Sequence, residues 1–296
     1  MFNVTLIGPI AEDTIIKSNS SYKSPGGAVF YQSNILSNLK INTNAIVTIS
    51  GDNRNLLKAF PSDINIIPFY VKRNTKFQNI YYDNNPNHRI QKASIPKNPI
   101  ELKNILNQIN NSSAFLLGPL CPYDIPLKTI EDLSKLKKPI YLGAQGYLRH
   151  LQGDKILLKP WHGFEKFLKF IDILFIDENE SSIILGEKHS LEETAKKLSS
   201  FGPEEVIITC GNRGSIIYSS KLAKIYKIPA FKPQKIEDPT GLGDTYMAAY
   251  AARKVETEDP KKCGIFAAAA ASVKLENKGP FKGDRNQIIE KCNNLK

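Results

Sequence analysis

Short apolar runs alternate with amphipathic stretches along nearly the whole chain. Strands are predicted at Asn3–Ile7, Asn44–Ile49, Ala114–Leu117, Pro139–Leu142, Ile171–Phe175, Glu205–Thr209, Ser215–Tyr218 and Ala223–Ile228. Helices are predicted at Ala28–Leu39, Pro99–Ile109, Leu127–Leu136, Phe164–Phe170, Leu191–Ser200, Gly243–Lys254 and Lys261–Leu275. Several strands, such as Ala114-Phe115-Leu116-Leu117 and Val206-Ile207-Ile208, are apolar throughout, the pattern of strands covered on both faces. This alternation predicts an α/β layered body with a mostly parallel sheet.

One segment breaks the rhythm. Over Pro68–Ser94, Phe69, Tyr70, Val71, Phe77, Ile80, Tyr81, Tyr82 and Ile90 interleave with Lys, Arg, Asn and Gln, and Asp83-Asn84-Asn85-Pro86-Asn87 forms a turn signal. The pattern predicts antiparallel strands, apolar on one face, inserted into the α/β body as a flap over a cleft.

The chain has 296 residues with ordinary globular composition, 41% hydrophobic and 23% charged, so disorder is excluded. No apolar run reaches the roughly 18 residues of a membrane helix, and the first residues lack the basic flank of a signal peptide. Cys121, Cys210, Cys263 and Cys292 are scattered, with no CxxC pair, which predicts a reducing cytoplasmic setting without a disulfide framework or zinc site. Lys and Arg number 40 against 29 Asp and Glu, a net charge of +11. They are spread along the chain rather than blocked, which reads as a solvated surface and not a nucleic-acid site. His88, His150, His162 and His189 show no ligand spacing.

The sharpest chemical signal is Asp238-Pro239-Thr240-Gly241-Leu242-Gly243-Asp244, which opens the helix Gly243–Lys254. Thr240 is the expected cap, and the glycines let the backbone turn tightly with its N–H groups outward. Such N–H groups at a helix N-terminus make an anion site. Asp244 in the first turn can accept a proton from a hydroxyl beside that anion. A dinucleotide fingerprint is excluded, because the third glycine position is Tyr246 and the motif lies late in the chain. The chain also has no Gly-x4-Gly-Lys-Ser/Thr phosphate loop.

With these residues in view, the chain resembles the PfkB-type, ribokinase-like carbohydrate kinases. Residues 238–244 are similar to that family's C-terminal signature, and Pro25-Gly26-Gly27 before the first helix is similar to its di-glycine signature. Gly8 to Asp13, Asp177-Glu178-Asn179-Glu180, Thr209-Cys210-Gly211-Asn212-Arg213-Gly214 and Asn277-Lys278-Gly279 resemble further landmarks in the same order, so the likeness spans the chain. The resemblance implies one three-layer αβα domain over residues 1–296, with lid strands from about residues 10–25 and 68–94.

It also implies roles. Asp244 is the base, and Gly241, Leu242 and Gly243 supply the anion hole. Asp177 and Glu180 hold Mg²⁺. Thr209, Gly211, Gly214, Asn277 and Gly279 line the ATP path. Asp13, Gly26 and Gly27 hold acceptor hydroxyls, with Tyr31 altering that pocket because it stands where sugar kinases carry Asn. Asp177 in place of Asn and Leu242 in place of Ala are two further departures. Arg149, following a predicted strand, reaches either a phosphate or substrate oxygen or a surface ion pair. A monovalent cation near the anion hole is left open, as is the choice between a monomer and a homodimer joined through the lid. The implied partner is a small hydroxyl-bearing substrate, with no nucleic acid and no membrane. Details within the motifs are most similar to myo-inositol kinase-like members. A nucleoside kinase and a non-catalytic nucleotide- or sugar-binding protein are the alternatives.

Overall fold

The computed structural model describes residues 2–17, 20–81, 89–102, 105–186 and 189–294. The strands in chain order are β1 (Asn3–Pro9), β2 (Ala11–Lys17), β3 (Ser20–Gly26), β4 (Asn42–Ser50), β5 (Asn65–Val71), β6 (Thr75–Tyr81), β7 (Arg89–Ser94), β8 (Ala114–Leu117), β9 (Ile140–Gly143), β10 (Arg149–Gln152), β11 (Lys155–Leu158), β12 (Ile173–Asp177), β13 (Glu205–Thr209), β14 (Ser215–Ser219) and β15 (Lys224–Ile228). The helices are α1 (Ala28–Asn38), α2 (Leu106–Ile109), α3 (Leu127–Ser134), α4 (Gln145–Leu148), α5 (Glu165–Leu168), α6 (Glu178–Ile184), α7 (Leu191–Ser199), α8 (Leu242–Lys254), α9 (Pro260–Leu275) and α10 (Arg285–Asn293).

Nine strands form the central sheet in the order β15-β14-β13-β12-β9-β8-β1-β4-β5, parallel from β13 to β5 and antiparallel across β13-β14-β15. Side chains alternate between two cores. Leu116 of β8 and Phe175 of β12 face a core shared with α1, α8 and α9. Their neighbours Phe115, Leu117, Leu174 and Ile176 face a second core with Ile130, Leu133 and Leu198 of α3 and α7. Burial on both faces explains the unbroken apolar runs. The fold is thus the expected three-layer αβα arrangement, and α8 packs between α1 and α9, with Thr245–Ala252 buried throughout.

A second sheet of six strands runs β10-β11-β7-β6-β2-β3. Its make-up differs from the sequence expectation in two ways. Residues 68–71 belong to β5, the edge of the central sheet, where Ile66 packs on one core and Ile67 and Phe69 on the other. Pro68 makes the run look unlike a buried strand, yet proline is tolerated at an edge. The hairpin β10-β11, unforeseen in the sequence, joins the second sheet through Lys155 opposite Lys92 of β7. The predicted turn cluster 83–87, with Tyr82 and His88, lies outside the described residues.

The helix predicted over Pro99–Ile109 shortens to α2. Around Ile100 the backbone is held out of a helix by the Ile100 N–H bond to the Asp124 carbonyl and by the Thr129 hydroxyl on the Ile100 carbonyl.

Candidate active site

The carboxyl ends of β8, β9, β12 and β13 carry Gly118, Gly143, Asp177 and Thr209 to the wall of one cleft of about 270 Å³. Clefts at this end of a parallel sheet are where α/β proteins bind ligands. The N-terminus of α8 closes one side and the second sheet the other.

Asp238 organises the loop before α8. Its Oδ1 accepts the Thr240 N–H at 2.9 Å, its Oδ2 accepts the Gly279 N–H at 3.0 Å, and its carbonyl accepts a bond from Lys274 Nζ at 2.6 Å. The cap of α8 is Gly241, not Thr240 as the sequence suggested, because the Asp238 carboxylate captures Thr240 and sets the turn one residue later. Gly241 has φ 75°, and a Cβ there would drive into the ring of Tyr31. Only glycine meets both demands. No side chain caps α8; the Leu242 N–H bonds the Pro239 carbonyl at 3.4 Å, and Gly241, Leu242 and Gly243 line the cleft.

Asp244 sits in that first turn and lines the cleft. Protein surrounds the carboxyl on every side but the cleft, and this burial pushes it up to about 6, against the opposing pull of Arg149 and Lys274. A carboxyl poised there is ionised at neutral pH yet basic enough to take a proton.

Polar groups line the rest of the cleft. Asp13 is buried, with its carboxyl packed so close to Gly26 that no side chain fits at that position. Gly27, the residue that caps α1, lines the cleft beside Tyr31 and Gln32. Tyr31 stays a phenol, since burial and then the charges of Asp13, Asp238 and Asp244 raise it far above its ordinary value. Arg149 is buried in the cleft wall, with its guanidinium 5.5 Å from the centre of the Phe77 ring. Its segment is pinned by Tyr147, which stacks on Trp161 at 4.1 Å and bonds the Ile125 carbonyl.

Asp177 and Glu180 line the cleft and also start α6 as a reciprocal cap: Asp177 Oδ1 accepts the Glu180 N–H at 2.8 Å, and Glu180 Oε2 the Asp177 N–H at 2.9 Å. Burial, then the charge of Asp177, pushes Glu180 up to about 7. Two adjacent carboxyl groups are an oxygen donor set that, once ionised, suits a hard divalent cation. Among the described residues no three His, Cys, Asp or Glu side chains converge on one point, so such an ion needs water or substrate oxygens as well.

The cleft therefore gathers Asp13, Gly27, Tyr31, Arg149, Asp177, Glu180, Thr209, Gly241, Leu242, Gly243 and Asp244 from the sequence-predicted set. Gly26 stands behind Asp13. Gly211, Gly214, Asn277 and Gly279 lie outside the cleft wall: the first two shape the β13-β14 turn, where the Cys210 N–H bonds the Gly214 carbonyl, and the last two form a turn tied to Asp238 through Gly279.

Sequence reasoning missed Gln32, Asn79 and Gln91. Gln32 is fully buried, its Nε2 on the Met247 sulfur at 3.4 Å, and its Oε1 has no hydrogen-bond partner. Asn79 and Gln91 pair across β6 and β7, Gln91 Nε2 donating to Asn79 Oδ1 at 2.9 Å. The helix period gave one usable signal, since Gln32 shares the inward face of α1 with Ala28 and Ile35.

A glycine-rich helix start, a buried carboxylate in its first turn and a set of polar side chains thus share one cleft. The profile of the pfkB family carbohydrate kinases matches residues 3–284, and the chain belongs to that family. A nucleoside kinase of Methanothermobacter thermautotrophicus is 38% identical over 104 residues, 33% of this chain and 32% of that protein. The chain thus matches only about a third of that relative's length. A pyrophosphate-dependent kinase in the ribokinase family, solved with a pyrophosphate analog and myo-inositol, superposes with TM-score 0.83 at 23% identity over 97% of this chain and 99% of that one. Arabidopsis thaliana ribokinase, solved with ribose and ATP, superposes with TM-score 0.81 at 19% identity over 99% of both chains.

Proposed function

We propose that the protein is an ATP-dependent kinase that phosphorylates a hydroxyl of a sugar or cyclitol. The observation that carries this reading is Asp244 in the first turn of α8, at a helix start that no side chain caps, in one cleft with Asp13 and Gln32. The acceptor hydroxyl lies between Asp244, which takes its proton, and the backbone of Gly241, Leu242 and Gly243, which receives charge from the transferring phosphoryl group. Asp13 and the Gln32 oxygen accept hydrogen bonds from other hydroxyls. Gly26 and Gly27 let backbone and substrate approach closely, and Tyr31 forms the floor. Arg149 steadies the phosphoryl oxygens.

The donor enters past Thr209, with the turns at Gly211–Gly214 and Asn277–Gly279 framing its path. Asp177 and Glu180 would hold Mg²⁺, which offsets phosphate charge when bound. The second sheet acts as the lid that keeps water from the donor.

The make-up of the acceptor wall favours a polyol over a nucleoside. The Arg149 guanidinium lies over one face of Phe77 and Gly241 packs against the Tyr31 ring, which narrows the aromatic surface left for a base. The amides of Gln32, Asn79 and Gln91 suit hydroxyls.

The test follows phosphorylated product by ³¹P NMR over a panel of myo-inositol, ribose, fructose, fructose 6-phosphate, adenosine and cytidine, each with Mg²⁺ and ATP or pyrophosphate. Phosphorylation of a sugar or cyclitol from ATP is expected. Preferential phosphorylation of adenosine or cytidine would replace the acceptor assignment with the nucleoside reading, and pyrophosphate as the better donor would replace the ATP assignment. Calorimetric binding of ATP and an acceptor without product would make this a non-catalytic binding protein.

A further inference from the structure

Lys274 is buried completely, with no exposed side-chain surface, in the last turn of α9 directly behind the loop that carries the anion hole. A lysine in such a place is rare, because its ammonium surrenders its hydration shell. Its surroundings are oxygen-rich and already engaged. Nζ donates to the Asp238 carbonyl at 2.6 Å, and the nearest carboxylate oxygen, Asp238 Oδ2, is 3.8 Å away and accepts the Gly279 N–H. The Tyr31 ring lies 5.7 Å from Nζ and presents its face. A backbone carbonyl, a carboxylate edge and an aromatic face make the kind of shell that holds a small monovalent cation.

We propose that Lys274 is a resident monovalent cation for the 238–244 loop: its tethered ammonium fills the pocket behind the helix start and leaves no room there for a free potassium ion. It fixes the Asp238 carbonyl, and through Asp238 both the Thr240 and Gly279 turns. It also sets a positive charge behind the helix start that receives the phosphoryl group. The charges of Asp238 and Asp244 partly offset the burial that lowers Lys274 to about 8, so it remains charged at neutral pH. Lys274 does not line the cleft, which makes it a positioning residue. This inference takes the proposed kinase reading as its setting.

The first arm measures rate and melting temperature as potassium chloride replaces tetramethylammonium chloride at constant ionic strength. The wild-type rate should change by less than about twofold, against the roughly fivefold or more typical of one site acting on another, and its melting temperature should not move. In Lys274→Ala, which leaves room for a free ion, kcat should fall about tenfold, short of what a direct transition-state donor supplies. Potassium, ammonium or methylammonium should then restore kcat at nearly constant acceptor KM, and potassium should raise the melting temperature of this variant alone. Lys274→Met keeps the stem's packing without the charge and should stay slow whichever salt is present.

Potassium activation or stabilisation of the wild type would overturn the proposal. So would Lys274→Met with wild-type kcat, or Lys274→Ala indifferent to every cation. The melting arm needs no substrate, so it decides the role of Lys274 even if no acceptor is phosphorylated.

Discussion

Replacing Asp244 by Asn separates what this carboxylate costs the fold from what it gives the reaction. The folded protein raises the group from 3.8 to about 6. At about 1.4 kcal/mol per pKa unit, holding it ionised costs about 3 kcal/mol. Solvent reaching it from the cleft reduces the figure to about 1–2 kcal/mol. The sign is that of a carboxyl whose folded value is raised. The penalty is absent below the unfolded value, grows between 3.8 and about 6, and is constant above that. Asp244→Asn should therefore melt about 2–3 °C above the wild type at pH 7.5, with the gap closing towards pH 4. Phosphorylation of whichever acceptor responds should drop by at least about a hundredfold, the low end for a general base. Differential scanning calorimetry across this pH range, with product formation measured on the same samples, checks both halves. A lower melting temperature for the variant at pH 7.5 would mean that Arg149 and Lys274 outweigh burial. Unchanged turnover would mean that the proton goes elsewhere.

Other outcomes follow from the same geometry. In the wild type, kcat/KM should fall as pH drops through about 6, because the base is then protonated, as a pH–rate profile at saturating Mg²⁺ will record. Gly241→Ala meets both the positive φ and the Tyr31 ring, so it should lose more than about 1 kcal/mol in urea unfolding and most of its activity. Asn79→Leu breaks the pair with Gln91, and steady-state kinetics should show the acceptor KM rising about tenfold, the loss of about one hydrogen bond, with the ATP KM unmoved. Lys254→Met strands the buried Glu205 that Lys254 binds at 2.6 Å, at a cost of about 3–5 kcal/mol, and adding Glu205→Gln should recover much of it.

The layered body was readable in the sequence because its strands are buried on both faces: Ala114–Leu117 and Glu205–Thr209 have the bounds the sequence pattern predicts. β5 was misplaced because Pro68 and the exposed Tyr70 give it the look of a flap strand. The hairpin β10-β11 was invisible for a related reason, since Leu151, Leu157 and Leu158 are exposed and mark no buried face. At the site, a run of seven residues announced the anion cradle, but which residue caps α8 depended on Asp238 reaching Gly279, 41 positions away. Gln32, Asn79 and Gln91 escaped notice because a neutral amide carries no pattern until three elements meet. Lys274 looked like any lysine in a last helical turn, where cations are welcome at the surface. Its burial is a property of packing alone.

Arg149 is at once a wall of the cleft and the first residue of β10. Among the described residues, the hairpin it begins meets the rest of the second sheet through one ladder pair, the Ala93 N–H bond to Asp154, the Lys92–Asp154 ion pair, Ile156 on the Phe77 cluster and Arg149 over the Phe77 ring. The β2-β3-β6-β7 portion is joined far more extensively within itself. The sheet is therefore two panels on one seam. Swinging the larger panel outward would leave Arg149 anchored by Tyr147 and Trp161, holding its charge over the cleft while the acceptor side stands open. On the proposed kinase reading, acceptor entry and phosphate retention would fall to separate panels of one sheet.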